Sequence, residues 1–279
     1  MNLAFSSNAY MHFSIEDAIG KVAEAGYTGI EILADVPHAW PAGLLSERKR
    51  SIRDHLEKHN LRISNINAFM MNAIADPRQP YWYPSWIDPD PHARAIRREH
   101  TKRALRLAAE IGAPNITTEP GGRLAREQSW NIAARIFYDE IMPCVELAEE
   151  LHVQLLIEPE PDLMIETFDQ FLDFRSRIDS DAVGLNFDIG HAYCVGQDPE
   201  LWVERMAEHA VHYHCEDIAA TRVHRHLIPG HGAIYLPATI DAIRRTGYTG
   251  WLTVELYPYI DNPDTAAREA MQYLARFVG

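Results

Sequence analysis

Four short apolar runs in this chain end in residues of the types that can bind metals. Leu155, Leu156 and Ile157 lead into Glu158, and residues 182–187 lead into Asp188. Val211, His212 and Tyr213 lead into His214, and Leu252, Thr253 and Val254 lead into Glu255. Apolar runs of this length, bounded by polar or turn-forming residues, read as buried strands. Two glutamates, an aspartate and a histidine therefore stand where strands leave a core. Three carboxylates brought together without a counter-charge repel one another and take up protons, and a divalent cation removes that penalty. Mixed carboxylate and imidazole ligation suits one divalent ion, manganese first, with magnesium, cobalt or zinc as alternatives. Four protein ligands leave two octahedral positions for substrate oxygens, and the lack of thiol ligands argues against a structural zinc site. Each residue also has a plainer reading: a glutamate as cap or loop residue, Asp188 as part of a turn, His214 as a hydrogen-bonded core histidine. Four such coincidences on successive strands favour the metal.

Those strands need a scaffold that brings their ends together. Strands are expected at residues 3–6, 29–33, 61–69, 115–118, 153–157, 183–187, 211–214 and 251–254, and helices at 14–25, 44–60, 93–111, 129–151, 165–178, 199–209, 237–246 and 265–277. Ser14 followed by Asp17 is arranged to cap the first helix, and Gly26 to end it. Alternating strands and helices imply a parallel sheet covered by crossovers, and eight units close most naturally into a single (β/α)8 TIM barrel of the α/β class spanning residues 1–279. The C-terminal strand ends of such a barrel open on one face, where Glu158, Asp188, His214 and Glu255 would meet. Gly26-Tyr27-Thr28-Gly29 and Gly247-Tyr248-Thr249-Gly250 each link a helix to a strand, an internal echo of repetition. An open doubly wound sheet is the alternative, but residues 6–9 do not form its phosphate-binding glycine loop.

The pattern breaks at about residues 70–92. Five prolines rule out a regular helix there, while Tyr81, Trp82, Tyr83 and Trp86 concentrate aromatic surface. An irregular segment of this length reads as a lid or binding loop over the active-site face, with Trp82 and Trp86 available to stack on sugar faces; a subunit contact is the other reading. Further candidates for substrate contact are His191, three residues after Asp188, and Asn67, Glu119, Glu160 and Arg222, all at expected strand ends or in the loops beyond them. His191 could equally be a second metal ligand, or only a histidine at a helix start.

The chain of 279 residues holds 26 Lys and Arg against 40 Asp and Glu, a formal charge of −14, which disfavours nucleic acid as a partner. Its three cysteines show no C-x-x-C spacing and suggest neither a disulfide framework nor a zinc knuckle. No apolar run approaches the ~20 residues of a membrane span, and the N-terminus lacks a signal-peptide pattern, so a cytoplasmic protein is expected.

On Gly26-Tyr27-Thr28-Gly29-Ile30-Glu31, Ile157-Glu158-Pro159, Phe187-Asp188-Ile189-Gly190-His191, His212-Tyr213-His214-Cys215-Glu216-Asp217, Ile228-Pro229-Gly230-His231-Gly232 and Val254-Glu255, the chain resembles the xylose isomerase-like TIM-barrel superfamily. The branch it resembles is that of sugar phosphate isomerases and epimerases. The ketose 3-epimerases of that branch imply Glu158, Asp188, His214 and Glu255 as metal ligands and His191 as a substrate ligand. Three positions depart from them: Met164 stands where a further substrate glutamate is usual, Ala220 where an arginine is, and Glu216 where many relatives have lysine. The resemblance implies an enzyme of carbohydrate metabolism, an isomerase or epimerase acting on a sugar, keto-sugar or polyol, and allows a homodimer or homotetramer. Its chemistry would be proton abstraction beside a carbonyl, with Glu158 and Glu255 exchanging protons and the divalent ion stabilising the enediolate. Three rivals stand beside it: a metal-dependent lyase or dehydratase on the same kind of substrate, an endonuclease IV-like phosphodiesterase disfavoured by charge, and a non-catalytic sugar-binding barrel.

Overall fold

The computed structural model of the protein describes residues 1–278. Eight parallel strands close in sequence order into one barrel: β1 (Asn2–Ser6), β2 (Gly29–Leu33), β3 (Arg62–Asn67), β4 (Asn115–Thr118), β5 (Gln154–Ile157), β6 (Val183–Asp188), β7 (Ala210–Cys215) and β8 (Trp251–Val254). Pairing of Asn2 with Trp251 through Phe5 with Val254 completes the ring between β1 and β8. The crossovers carry α1 (Ile15–Glu24), α2 (Ser46–Lys58), α3 (Pro91–Ile111), α4 (Trp130–Leu151), α5 (Phe168–Arg175), α6 (Ile189–Cys194), α7 (Pro199–Arg205) and α8 (Leu236–Arg245), and α9 (Pro263–Val278) follows β8. The expected (β/α)8 TIM barrel is thus the observed architecture. No helix among the described residues is long and apolar enough to cross a membrane.

Local chemistry sets the boundaries. Ser14 accepts the Asp17 N–H at the start of α1, as its spacing predicts, and Gly112 ends α3 in a left-handed conformation at φ 83°. The helix expected at 165–178 begins later, because Thr167 forms a capping box with Gln170. The helix expected at 199–209 ends earlier, since residues 206–209 turn into β7. Helix α6 is an addition to the expected set: Asp188 accepts the His191 N–H and so caps a six-residue helix directly after β6.

The core lies between strands and helices, whereas the barrel interior is largely polar. Apolar strand residues such as Ile30, Ile66, Leu155, Phe187 and Leu252 are buried in the outer layer. Inside, Thr253 Oγ1 donates to Ser64 Oγ at 3.0 Å, His212 contacts Asn186 and Thr253, and Asn65 donates to Glu31 and Thr117. Buried polar groups of this kind persist only when paired, and here they pair across the barrel. Register shifts at Ile30/Glu31 in β2 and Leu185/Asn186 in β6 fall beside residues of this network.

The irregular segment before α3 is tied to the barrel by Arg97, which is fully buried. Its guanidinium donates to the carbonyls of Pro84, Phe69, Ala68 and Trp82 at 2.6–3.3 Å and lies 4.0 Å from Glu119. Burial lowers the Arg97 pKa to about 10, so it remains charged at neutral pH. Removing it would strand four carbonyls and the Glu119 carboxylate. Arg97→Ala is expected to cost about 3–5 kcal/mol in urea denaturation and to speed proteolysis between residues 70 and 90; a variant as stable and as resistant as wild type would contradict this role.

Candidate metal centre

Glu158, Asp188, His214 and Glu255 meet where their spacing predicts, at the C-terminal ends of β5 to β8. Each offers a ligand atom, and the four atoms lie within 4.8 Å of one another. His214 is central: its Nδ1 is 2.7 Å from Glu158 Oε1, 3.7 Å from Asp188 Oδ2 and 3.8 Å from Glu255 Oε2. All four side chains are buried, so water contributes little screening.

The surroundings orient each donor. Asn8 Nδ2 and Asn67 Nδ2 both donate to Glu255 Oε1, at 2.9 and 3.2 Å, which leaves Oε2 to face His214. Asp188 Oδ1 is committed to the His191 N–H, whereas its buried Oδ2 has no hydrogen-bond partner. An unpartnered carboxylate oxygen beside two more carboxylates and an imidazole nitrogen is a donor set that fits a divalent cation.

Glu31 is the residue that sequence reasoning missed as part of the centre. It accepts from His214 Nε2 at 2.7 Å on the side away from the quartet. Ser6 and Asn65 hold it in turn at 2.6 and 2.7 Å. A carboxylate behind a ligating histidine fixes the ring and raises its basicity. Burial alone would lower the His214 pKa, but Glu31, Glu158 and Glu255 outweigh it and hold it well above the usual value. Burial pushes Glu255 well up, with Glu158, Glu31 and Asp188 adding to what His214 offsets, and burial likewise raises Glu158. The quartet thus carries more negative charge than one imidazolium balances. A signal for Glu31 existed, since an acid between Ile30 and Ile32 in a strand buried on both faces must have a buried partner.

A cavity of about 450 Å³ opens above the quartet. Its walls include Glu158 and Glu255 with the expected Asn67, Glu160 and His191, and also Asn8, His224, His226, Phe69, Tyr81 and Tyr257. No lysine or arginine lines it among the described residues. Tyr81 reaches down from the proline-rich segment, donates to Glu160 Oε1 at 2.7 Å and stacks on Phe69 with ring centroids 6.2 Å apart.

Four expected contacts lie elsewhere. Trp86 is fully buried on Phe137, with centroids 5.5 Å apart, and its indole N–H donates to Thr118 Oγ1. Glu119 accepts from the backbone of Trp86 and Gly121 at 2.8 Å and faces Arg97, so it anchors the loop. Burial raises the Glu119 pKa to about 7 against the pull of Arg97 and those backbone donors. Trp82 is not among the residues lining the cavity; Arg123 lies over its ring, and it packs edge-to-face with Tyr81. Arg222 folds back over Tyr193 and donates to its carbonyl at 2.7 Å. In each case aromatic or charged character marks a packing or anchoring role, and Tyr81 and Phe69 supply the aromatic surface expected of Trp82 and Trp86. His212, two residues before His214, is the hydrogen-bonded core histidine of the pair. Met164, at one of the departing positions, is buried in the core.

His224 and His226 were also missed, because they belong to a loop rather than a strand end. Asp217 organises that loop: its carboxylate accepts the N–H groups of Ile218, Gly230, Gly232 and Ile234 at 2.8–3.0 Å. A Cβ on Gly232 would stand 2.2 Å from Asp217 Oδ1, which accounts for a glycine there.

Residues 19–277 match the family described as xylose isomerase-like TIM barrel, and the chain belongs to it. Among its relatives is a fructoselysine 3-epimerase of Escherichia coli O157:H7, 24% identical over 94% of this chain and 93% of that protein. Another is an inosose dehydratase of Clostridium beijerinckii, 22% identical over 95% of this chain and 90% of that protein. The solved structure of an IOLI protein with a bound zinc atom superposes at a TM-score of 0.81, with 17% identity and full coverage of both chains.

If Glu31 orients His214 for a metal, Glu31→Gln is expected to weaken divalent-ion affinity 10–100-fold in competition with a chelator. Unchanged affinity would assign Glu31 to packing alone.

Proposed function

We propose that this protein is a divalent-metal-dependent isomerase or epimerase of a sugar, keto-sugar or polyol. The observation that carries the reading is the quartet itself, with Asp188 Oδ2 unpartnered and Glu158 and Glu255 both opening to one small cavity. Glu158, Asp188, His214 and Glu255 would hold the ion, manganese being our first choice. When bound, it supplies Lewis-acid stabilisation of the negative charge that develops on a carbonyl oxygen. Glu158 and Glu255, one residue beyond the ends of β5 and β8, both line the cavity and would face the reacting carbons. One removes the proton beside the carbonyl, leaving its electron pair in an enediolate, and a proton returned on the other face gives the epimer. Return at the neighbouring carbon gives aldose–ketose isomerisation. Asn8 and Asn67 hold the Glu255 carboxylate in place during this exchange.

The cavity suits a polyhydroxylated ligand. Its floor is carboxylate, amide and imidazole, while Phe69, Tyr81 and Tyr257 supply the apolar wall on which the carbon face of a sugar packs. We take the segment at residues 70–92 as the cover of this one-domain barrel, with Tyr81 as its contact, and His191, Glu160 and Asn67 as contacts to substrate. The charge of −14 favours a small uncharged substrate over a phosphodiester polymer.

A dehydratase acting through the same first step is the second reading. Elimination needs a proton for the departing hydroxyl, which leaves as water; the proton removed beside the carbonyl by Glu158 or Glu255 balances it, and the imidazoles of His191, His224 and His226 line the cavity where that water would form. The inosose dehydratase relative supports keeping it. Incubation of the manganese-loaded protein with keto-sugars and inososes in deuterated water separates the readings. Deuterium beside the carbonyl with no loss of water supports the isomerase or epimerase, and loss of water supports the dehydratase. Chelation should abolish either activity, and activity that survives exhaustive metal removal would contradict both. In protein shown to retain metal, Glu158→Gln or Glu255→Gln is expected to lower kcat about 10²–10⁴-fold.

A further inference from the structure

Across the barrel from the quartet, the cavity wall carries an amide that the fold leaves unused. The quartet comes from β5 to β8, and in the closed ring β3 stands opposite β7, the strand of His214. After β3 the chain adds Phe69, Met70 and Asn72 to the cavity lining. Asn72 opens a single turn of 3₁₀ helix, Asn72–Ile74, at the start of the proline-rich segment. It is half-buried, and its side-chain amide makes no hydrogen bond among the described residues.

A buried charge fixes this turn. Asp35, two residues beyond β2, is fully buried, and its carboxylate accepts the N–H of Asn72, of Ala73 at 2.9 Å and of Val36 at 2.8 Å. Burial raises the Asp35 pKa against the pull of those donors and of Arg97. Taking a carboxylate out of water is costly. Packing within the turn does not explain that cost, because no residue of the turn is buried and Ala73, Ile74 and Ala75 are exposed. Arg97 holds the other end of the segment through the Trp82 and Pro84 carbonyls, so the Asn72 backbone is set from both sides. A buried charge that orders exposed backbone at the edge of a cavity pre-organises a contact to what the cavity binds.

We propose that Asn72 is a specificity-determining contact, its amide pairing with a hydroxyl at the end of the substrate remote from the quartet, and that Asp35 is the positioning residue that holds it there. The proposal rests on the isomerase or epimerase reading and narrows its substrate. An amide offers a donor and an acceptor, which together match a hydroxyl and supply no charge for an anion. A ligand whose carbonyl and adjacent hydroxyl lie at the quartet extends across the mouth toward β3, and its far end meets Asn72. No lysine or arginine lines the cavity among the described residues, so a phosphate at that end finds no counter-charge. The substrate class is therefore a neutral keto-sugar or inosose with a free hydroxyl away from the carbonyl.

The test is calorimetric titration of the manganese-loaded full chain with D-ketohexoses and scyllo-inosose, beside analogues lacking one hydroxyl remote from the carbonyl. In the wild type, removal of that hydroxyl is expected to weaken binding about 3–10-fold. The ratio should fall toward one in Asn72→Ala and in Asp35→Ala, whereas a general loss of structure would weaken both members of a pair alike. Equal binding of every pair in the wild type, or a ratio that survives Asn72→Ala, would overturn the proposal. A ratio lost in Asn72→Ala and kept in Asp35→Ala would overturn the positioning role of Asp35. Proton exchange in deuterated water, followed on the same samples, separates this proposal from the reading it rests on. Exchange with the ratio intact in Asn72→Ala removes the contact and leaves the isomerase or epimerase. A ratio lost in Asn72→Ala, in a protein that exchanges no proton, keeps the contact and removes that reaction. Failure of every compound to bind would overturn both.

Discussion

The buried contact between His214 and the acids around it is the constraint on which the rest of this structure depends. One imidazole from β7 stands between Glu31 on one ring nitrogen and Glu158, Asp188 and Glu255 on the other side. Bringing so much negative charge out of water is costly unless a cation shares it. A closed barrel makes the arrangement feasible, because residues from strands far apart in sequence are locked at one end of a common frame. The polar interior below continues the same logic. Ser6 and Asn65 hold Glu31, Asn65 also reaches Thr117, and His212 links Asn186 to Thr253, so the acid behind His214 is held by hydrogen bonds rather than by apolar packing alone.

The loops finish what the strand ends begin, and they do so with buried anchors. Arg97 and Glu119 fix the proline-rich segment, so that Tyr81 can reach Glu160 over the cavity. Asp217 gathers four backbone N–H groups of the loop after β7 and sets His224 and His226 against the cavity wall. Neither anchor needs to touch a ligand. Their effect on a bound molecule passes through the residues they position, which places part of the cavity's shape under the control of charges well outside it.

Much of this was legible in the sequence, for identifiable reasons. The barrel followed from alternating strands and helices, and the quartet from four apolar runs that each end in a ligand type. Strand-end position is a strong cue, because the fold converts it directly into a place in space. Side-chain direction is weaker: Trp86 and Glu119 share the segment and strand end of true wall residues, yet both turn into the packing beneath the loop. Arg222 likewise turns back over Tyr193. Glu31 was visible as an acid inside an apolar strand, but only the cross-barrel register shows that it faces His214. His224 and His226 were hidden because an irregular loop has no period, and only Asp217 with Gly230 and Gly232 betrayed its fixed shape.

The central claim is that four strand-end side chains share one divalent cation. Anomalous diffraction from a crystal of the manganese-loaded protein tests it most directly. A strong manganese peak is expected about 2.0–2.3 Å from one oxygen each of Glu158, Asp188 and Glu255 and from His214 Nδ1, with Glu31 still bound to Nε2. An ordered quartet with no anomalous density between its atoms at saturating manganese, and His214 holding a proton between Glu31 and Glu158 instead, would contradict the account.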